Sequence, residues 1–181
     1  MRENNYAFID SQNVNLGIRA LGWQLDFRKF RTYLEDKYSV TKAYLFIGYI
    51  PQNERMYTAL RSFGYVLVFK PTLKNERGII KGNCDGELIL QAMIDYPNYE
   101  KAVIVTGDGD FYCLARYLWQ YHKLSKILIP DKDRYSSLLK DFSIPENNML
   151  DFMNSLKNKL EYLSNEKGSR RDETLREPFS S

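Results

Sequence analysis

Short apolar runs alternate along the chain with longer stretches in which apolar positions recur every three or four residues. The runs are "YAFI" (6–9), "TKAYLFIGY" (41–49), "YVLVFK" (65–70), "AVIVT" (102–106) and "SKILI" (125–129). Their length and their β-branched and aromatic content predict five strands. "AVIVT" is apolar without alternation, the pattern of a strand buried on both faces. Between the strands, "DFRKFRTYLEDKY" (26–38) carries Phe27, Phe30, Tyr33 and Leu34 at helical spacing, with Asp26 as N-cap. "PQNERMYTALRSFG" (51–64) opens on Pro51 and closes on Gly64, the punctuation of a helix. "CDGELILQAMIDY" (84–96) reads as an apolar helix with acids in its first turn. "DFYCLARYLWQYH" (110–122) places Phe111, Leu114, Ala115 and Leu118 on one face. "RYSSLLKDF" (134–142) predicts a short helix and "LDFMNSLKNKLEYL" (150–163) a last one.

Strand and helix in alternation imply a parallel sheet covered by helices on both faces. The expected fold is a three-layer α/β/α, Rossmann-like arrangement around a mostly parallel sheet of about five strands. Its crossovers should be right-handed, and its ligand should lie beyond the carboxyl ends of the strands. One domain is expected over residues 1–163. The polar stretch 164–181 reads as a disordered tail.

Composition changes this picture little. The 181 residues are 44% hydrophobic and 27% charged, with a net charge of +3, so an anionic partner must be met by local patches. Cys84 and Cys113 form no CxxC pair and no secretory signal or membrane-spanning run is evident, so reduced thiols in the cytoplasm are expected. Both read as inert packing residues. The single histidine, His122, argues against His-rich zinc chemistry and is placed at a helix C-terminus.

The chemistry concentrates in the acids. Asp10 ends the first strand in "FIDSQN", and Asp108 and Asp110 follow the fourth in "VTGDGD". Asp85 opens the helix after the basic loop "PTLKNERGIIKGN" (71–83). If strands one and four are neighbours, these four carboxylates converge on one end of the sheet and repel one another. A hard divalent cation, Mg²⁺ or Mn²⁺, offsets that repulsion through oxygen ligands and can activate water against a phosphodiester. Gly107 and Gly109 suit a tight turn. Plainer duties compete: Asp110 as an N-cap and Asp85 as a first-turn acid. For Asp10 no structural duty is evident.

Three motifs, "FIDSQN", "KGNCDGELILQAM" and "VTGDGDF", in this order and spacing, resemble the NYN family of PIN-like nucleases, in its bacterial LabA-like branch. The resemblance covers roughly residues 6 to 150. It implies a Rossmann-like α/β/α fold, a Mg²⁺- or Mn²⁺-dependent site and action on RNA. By position, it makes Asp10, Asp85, Asp108 and Asp110 the metal-binding and catalytic acids and Asn13 a polar, substrate-binding residue of the site. Three departures stand out. Cys84 is an extra residue before Asp85, Gln91 stands where many relatives carry an Asp, and Thr106 replaces the usual Ser. Glu87 is a candidate to compensate for Gln91, though a solvated helix acid is its more ordinary role.

An RNA backbone needs cations. Lys70, Lys74, Arg77 and Lys81 lie in or beside the loop that leads to Asp85. Tyr112 and Arg116 are four apart and share a helix face, where Tyr112 can stack a base. Trp119 is expected in the core or at a homodimer interface, and Arg170 and Arg171 add nonspecific attraction. Rival classes fail on particular residues. Tyr112 occupies the third glycine position of a dinucleotide fingerprint, and no phosphate-binding P-loop occurs. Lys70 and Pro71 stand where a receiver domain needs its aspartate, and Gln12 breaks the DxD of a phosphatase. A metal-dependent ribonuclease is the expected function. An RNA-binding regulator of the same fold that cleaves slowly or not at all is the rival.

Overall fold

Eight strands are present among the residues described by this computed structural model, namely 3–70, 73–74, 80–81, 85–144 and 148–163. They are β1 (Asn5–Asp10), β2 (Val40–Gly48), β3 (Tyr65–Lys70), β4 (Leu73–Lys74), β5 (Ile80–Lys81), β6 (Ala102–Val105), β7 (Leu124–Ile129) and β8 (Leu150–Phe152). Six of them form one sheet in the order β3-β2-β1-β6-β7-β8, parallel throughout. β4 and β5 pair antiparallel as a two-stranded ribbon within the stretch expected to be loop.

The pleat divides the core in two. Ala7 and Ile9 of β1, with Val103 and Val105 of β6, face a layer built from α1 (Ser11–Ala20), α2 (Phe27–Tyr38) and α3 (Glu54–Ser62). Tyr6 and Phe8, with Ala102 and Ile104, face α4 (Asp85–Ile94) and α5 (Tyr112–Gln120) on the other side. Alternate residues of β1 and β6 are thus buried on opposite faces, as continuous apolar strands require. The three-layer α/β/α expectation holds, and the sheet is entirely parallel with six strands rather than about five.

Three local expectations need correction. β8 and a 3₁₀ turn, Met153–Leu156, occupy most of the segment read as a helix over 150–163, leaving only α6 (Lys157–Leu160) helical. Leu150, Met153, Leu156 and Leu160 are spaced for a helix. Pairing of Leu150–Phe152 with Ile127–Ile129 at the open sheet edge wins instead. The helix expected over 134–142 is a 3₁₀ segment, Ser137–Ser143, capped by Ser136. α1 was not predicted at all, because only Ser11, Val14 and Ile18 of its ten residues are buried. Asp26 caps α2 as expected, accepting from the N–H groups of Arg28 and Lys29.

From β1 the chain winds outward through β2 to β3, then crosses back to start the other half of the sheet at β6. The winding direction reverses between β1 and β6, and the crevice beyond their carboxyl ends is where such sheets bind ligands.

Candidate active site

Asp10 is the last residue of β1 and the N-cap of α1. Its Oδ1 accepts the Asn13 N–H at 3.1 Å and its Oδ2 accepts the Thr106 hydroxyl at 3.2 Å. The absence of a structural duty read from sequence is therefore wrong: Asp10 starts a helix. Its carboxyl is pushed up to about 6: burial raises it most, the two hydrogen bonds pull it down, and the negative charges of Asp85 and Asp108 add to the rise. Asp10 is thus a carboxylate that gains by meeting a cation.

Thr106, Gly107 and Asp108 form the facing wall, just past β6. Thr106 is fully buried, and its Oγ1 also accepts the Asp108 N–H at 3.2 Å, so one hydroxyl ties Asp10 to the Asp108 turn. Gly107 donates its N–H to Asn13 Oδ1 at 2.7 Å and accepts the Ser136 N–H at 2.9 Å. Asn13 therefore braces α1 against this turn through its carboxamide oxygen. Asp108 caps the 3₁₀ turn Gly109–Phe111 by accepting the Asp110 N–H at 3.0 Å. Capping thus belongs to Asp108, not Asp110, and α5 begins without a side-chain cap.

The two glycines are explained by close approach. A Cβ on Gly107 would lie 3.1 Å from the Cβ of Tyr135, and one on Gly109 would overlap Ser136 Oγ and lie 2.9 Å from Ser136 Cβ. The segment after β7 is packed directly against the acidic turn.

Asp85, at the start of α4, completes the cluster. One carboxylate oxygen each from Asp85, Asp108 and Asp110 lies within 4.8 Å of the others, with Asp110 exposed and the other two half-buried. Three hard oxygen donors so close, with the partly desolvated Asp10 coupled to two of them, fit a divalent cation such as Mg²⁺ or Mn²⁺. His122 stands past the far end of α5, with a left-handed backbone (φ 56°).

The sequence departures have definite places. Gln91 donates to Asp95 Oδ2 at 2.9 Å, within a network that also holds Tyr44 and Asn98. Three donors and Lys42 keep Asp95 below the usual carboxylate range against the opposing effect of burial. Glu87 sits 3.6 Å from Lys70 Nζ, with its Oε2 buried and without a hydrogen bond among the described residues. Lys70 thus faces a carboxylate rather than open solvent.

The predicted substrate strip is only partly visible. Lys74 and Lys81 lie in β4 and β5. Arg77, Cys84, Arg170 and Arg171 and the expected tail fall outside the described residues. Tyr112 is half-buried and donates its hydroxyl to Asp141 Oδ2 at 3.1 Å, while Arg116 is exposed. Trp119 is not in the core but 38% exposed. Cys113 is an exposed free thiol rather than a packing residue.

Sequence reading passed over several neighbours. Asp131, buried after β7, accepts the Asp133 N–H at 3.0 Å and faces Arg134. Ser136 and Asp141 were also missed: the segment 134–142 reads as a short helix, and nothing in its pattern marks either residue as a neighbour of the acidic turn. The one available signal was position: Asp131 follows a predicted parallel strand, as Asp10 and Asp108 do.

No described helix is long and apolar enough to cross a membrane. The chain is 28% identical over 114 residues to the low amplitude and bright protein LabA of Synechococcus elongatus, an alignment covering 58% of this chain and 61% of LabA. The chain thus spans less than two thirds of the length of that curated relative. Among solved structures, a protein of unknown function from Vibrio parahaemolyticus superposes with a TM-score of 0.63 at 26% identity, covering 77% of this chain and 88% of that one. The profile of the NYN domain matches residues 6–142, which span every acid of the cluster. With a six-stranded parallel sheet and its acids gathered at the winding reversal, the chain belongs to the NYN domain family.

Proposed function

We propose that the protein is a divalent-metal-dependent ribonuclease that hydrolyses RNA phosphodiester bonds. The observation that carries this reading is the convergence of the Asp85, Asp108 and Asp110 carboxylates within 4.8 Å at the winding reversal of the sheet, beside a half-buried Asp10. Membership of a family of PIN-like nucleases supports RNA as the substrate class.

Asp10, Asp85, Asp108 and Asp110 would hold Mg²⁺ or Mn²⁺. When bound, such an ion lowers the pKa of a coordinated water and neutralises charge on the phosphate. The chain's own groups do the rest. Thr106 and the N-terminus of α1 orient Asp10, and Asn13 fixes the distance between α1 and the Asp108 turn. Asp110, exposed and released from capping, is the carboxylate best placed to meet a water or a substrate-bound ion. Lys74, Arg77 and Lys81 supply phosphate contacts, and Tyr112 and Arg116, on α5, bind substrate. Water adds to phosphorus, the P–O bond to the leaving nucleoside breaks, and the leaving oxygen takes up a proton. The exposed Cys113 thiol accords with a reducing cytoplasm.

Single-turnover cleavage of end-labelled single-stranded RNA in Mg²⁺, Mn²⁺ and EDTA tests the reading. Cleavage should require the added metal, and Asp85→Asn and Asp108→Asn should each slow it at least about a hundredfold, the scale of losing a group that stabilises charge in the transition state. Undiminished cleavage in EDTA refutes metal dependence. RNA binding without cleavage under every condition favours the regulatory role instead.

A further inference from the structure

Beside the acidic cluster lies a concavity of about 400 Å³ that no part of the metal site uses. One wall is a stripe of α5, Tyr112, Arg116 and Trp119, spaced by four and three residues so that they share a face. The other wall is Asp141, Phe142 and Ile144, at and just beyond the end of the 3₁₀ segment after β7. Its surfaces are planar and apolar: Tyr112 packs on Phe142 with ring centroids 5.7 Å apart, and Trp119 and Ile144 remain 38% and 48% exposed. Its polar groups are few and of opposite kind. Arg116 offers only donors and makes no ion pair or hydrogen bond among the described residues. Asp141 offers only acceptors, and the Tyr112 hydroxyl takes one of its lone pairs and steadies it.

These features select a class of ligand. Aromatic walls with an arginine suit a single-stranded nucleobase and its phosphate, since bases stack on such rings and guanidinium groups. The carboxylate then discriminates among bases. Two parallel acceptors match an edge with two adjacent N–H donors. Only guanine has one, in N1–H and the N2 amino group. Uracil presents one donor between two acceptors, while adenine and cytosine set an acceptor beside their amino group. The location matches as well. Along α5, at about 1.5 Å of rise per residue, Arg116 lies about 6 Å from Tyr112, and Tyr112 follows Asp110 by two residues, so a base in the concavity and a phosphate at the acids can belong to one strand.

We propose that this concavity is a guanine-binding subsite, with Trp119 and Tyr112 as stacking surfaces, Asp141 reading the Watson–Crick edge and Arg116 holding the phosphate. The proposal gives base preference to the ribonuclease reading above and rests on it for the substrate. Its test is independent of cleavage. The protein has two tryptophans, and Trp23 is buried in the opposite core layer, so quenching of Trp119 reports on the concavity.

The full chain is titrated in EDTA with GMP, AMP, CMP and UMP while tryptophan emission is followed. GMP should quench and bind at least tenfold more tightly than the other three. Asp141→Asn, which replaces one acceptor by a donor, should lower GMP to the level of AMP and leave AMP unchanged. Arg116→Ala should weaken all four about equally, and Trp119→Phe should remove the signal while calorimetry still detects GMP. Equal affinity for the four nucleotides, no response to any, or a GMP response that survives in Trp119→Phe emission overturns the proposal. If Asp141→Asn fails to fold, the native ranking and the Trp119→Phe result still decide. Guanine binding without RNA cleavage would leave the subsite standing and remove the nuclease, whereas metal-dependent cleavage without guanine preference would do the reverse.

Discussion

Asp10→Asn should stabilise the metal-free protein and destabilise it relative to native when metal is present. The magnitude follows from the site. The Asp10 carboxyl is raised from 3.8 to about 6, first by burial and then by Asp85 and Asp108, against the pull of two hydrogen bonds. That difference corresponds to about 3 kcal/mol, at 1.36 kcal/mol per pKa unit. The sign follows from proton counting. Below pH 3.8 the folded and unfolded chains both hold the proton, and the group costs nothing. Between 3.8 and about 6 the unfolded chain has released it while the folded chain retains it, so stability falls as pH rises. Above about 6 the full cost is present. The amide removes that cost and keeps the cap, because Asn is as good an N-cap as Asp. Its nitrogen can also donate to the second lone pair of Thr106 Oγ1, whose first lone pair takes the Asp108 N–H.

Urea unfolding in EDTA from pH 4 to 8 should therefore show Asp10→Asn more stable than native by about 2–3 kcal/mol at pH 8, with the gap closing toward pH 4. At Mn²⁺ a thousandfold above its Kd, native gains about 4 kcal/mol by mass action. A variant that has lost a ligand gains less, and the order inverts. A variant no more stable than native at pH 8, or a gap that does not change with pH, would show that the cap and not the buried charge governs Asp10, and would refute the reasoning.

The remaining predictions concern the supports of the cluster. Asn13→Ala leaves the buried Gly107 N–H without its acceptor and should cost about 1–3 kcal/mol in thermal melts; it should also weaken Mn²⁺ binding by calorimetry, because the Asp108 turn loses its brace to α1. Gly109→Ala drives a methyl group into Ser136 and should cost about 1–3 kcal/mol, with Ser136→Gly on the same chain restoring part of the loss. Gln91→Asp should destabilise the protein by about 2 kcal/mol, the size of a lost hydrogen bond to a charged group, and should bring no gain in Mn²⁺ affinity, because Gln91 is a donor to Asp95. A gain in affinity would mean that the side chain at 91 turns toward the cluster.

The fold was legible where the chain repeats a period. β1, β2, β6 and β7 are largely apolar runs buried over most of their length, and a run of that kind has few other places to go. β3, at the sheet edge, buries only Tyr65 but keeps the apolar, aromatic-rich composition of a strand. Legibility failed where tertiary contacts choose between patterns. Leu150–Phe152 is too short to announce itself as a strand and sits in a helical spacing, and only β7 at the open edge decides its state. α1 buries three residues in ten, so its start is marked by the Asp10 cap rather than by periodicity. The acidic cluster was legible because parallel topology turns sequence position into spatial position: an acid at the end of β1 and an acid after β6 must be neighbours once those strands pair. The supports were not legible, since Asn13, Thr106 and Ser136 act through single hydrogen bonds across 29 to 96 residues of chain.

From sequence, the choice between cap and metal ligand is posed for Asp110, while Asp10 is given no structural duty; the structure puts the caps at Asp10 and Asp108, and the geometry dissolves that choice. Each carboxylate uses an oxygen to start a helical turn, Asp10 from Asn13 N–H and Asp108 from Asp110 N–H. An ionised carboxylate has about four lone-pair sites, and one such bond leaves the others open. Capping fixes the side-chain torsions before any ligand arrives, so little rotamer entropy remains to be lost when a cation binds. The helical N-termini also stabilise negative charge, which lets acids that repel one another stand together in the folded chain. A capping bond therefore counts neither for nor against a role in binding. What distinguishes a structural cap from a poised ligand is the company it keeps: Asp26 caps α2 next to Lys29 at 4.0 Å, whereas Asp10 and Asp108 cap beside further carboxylates.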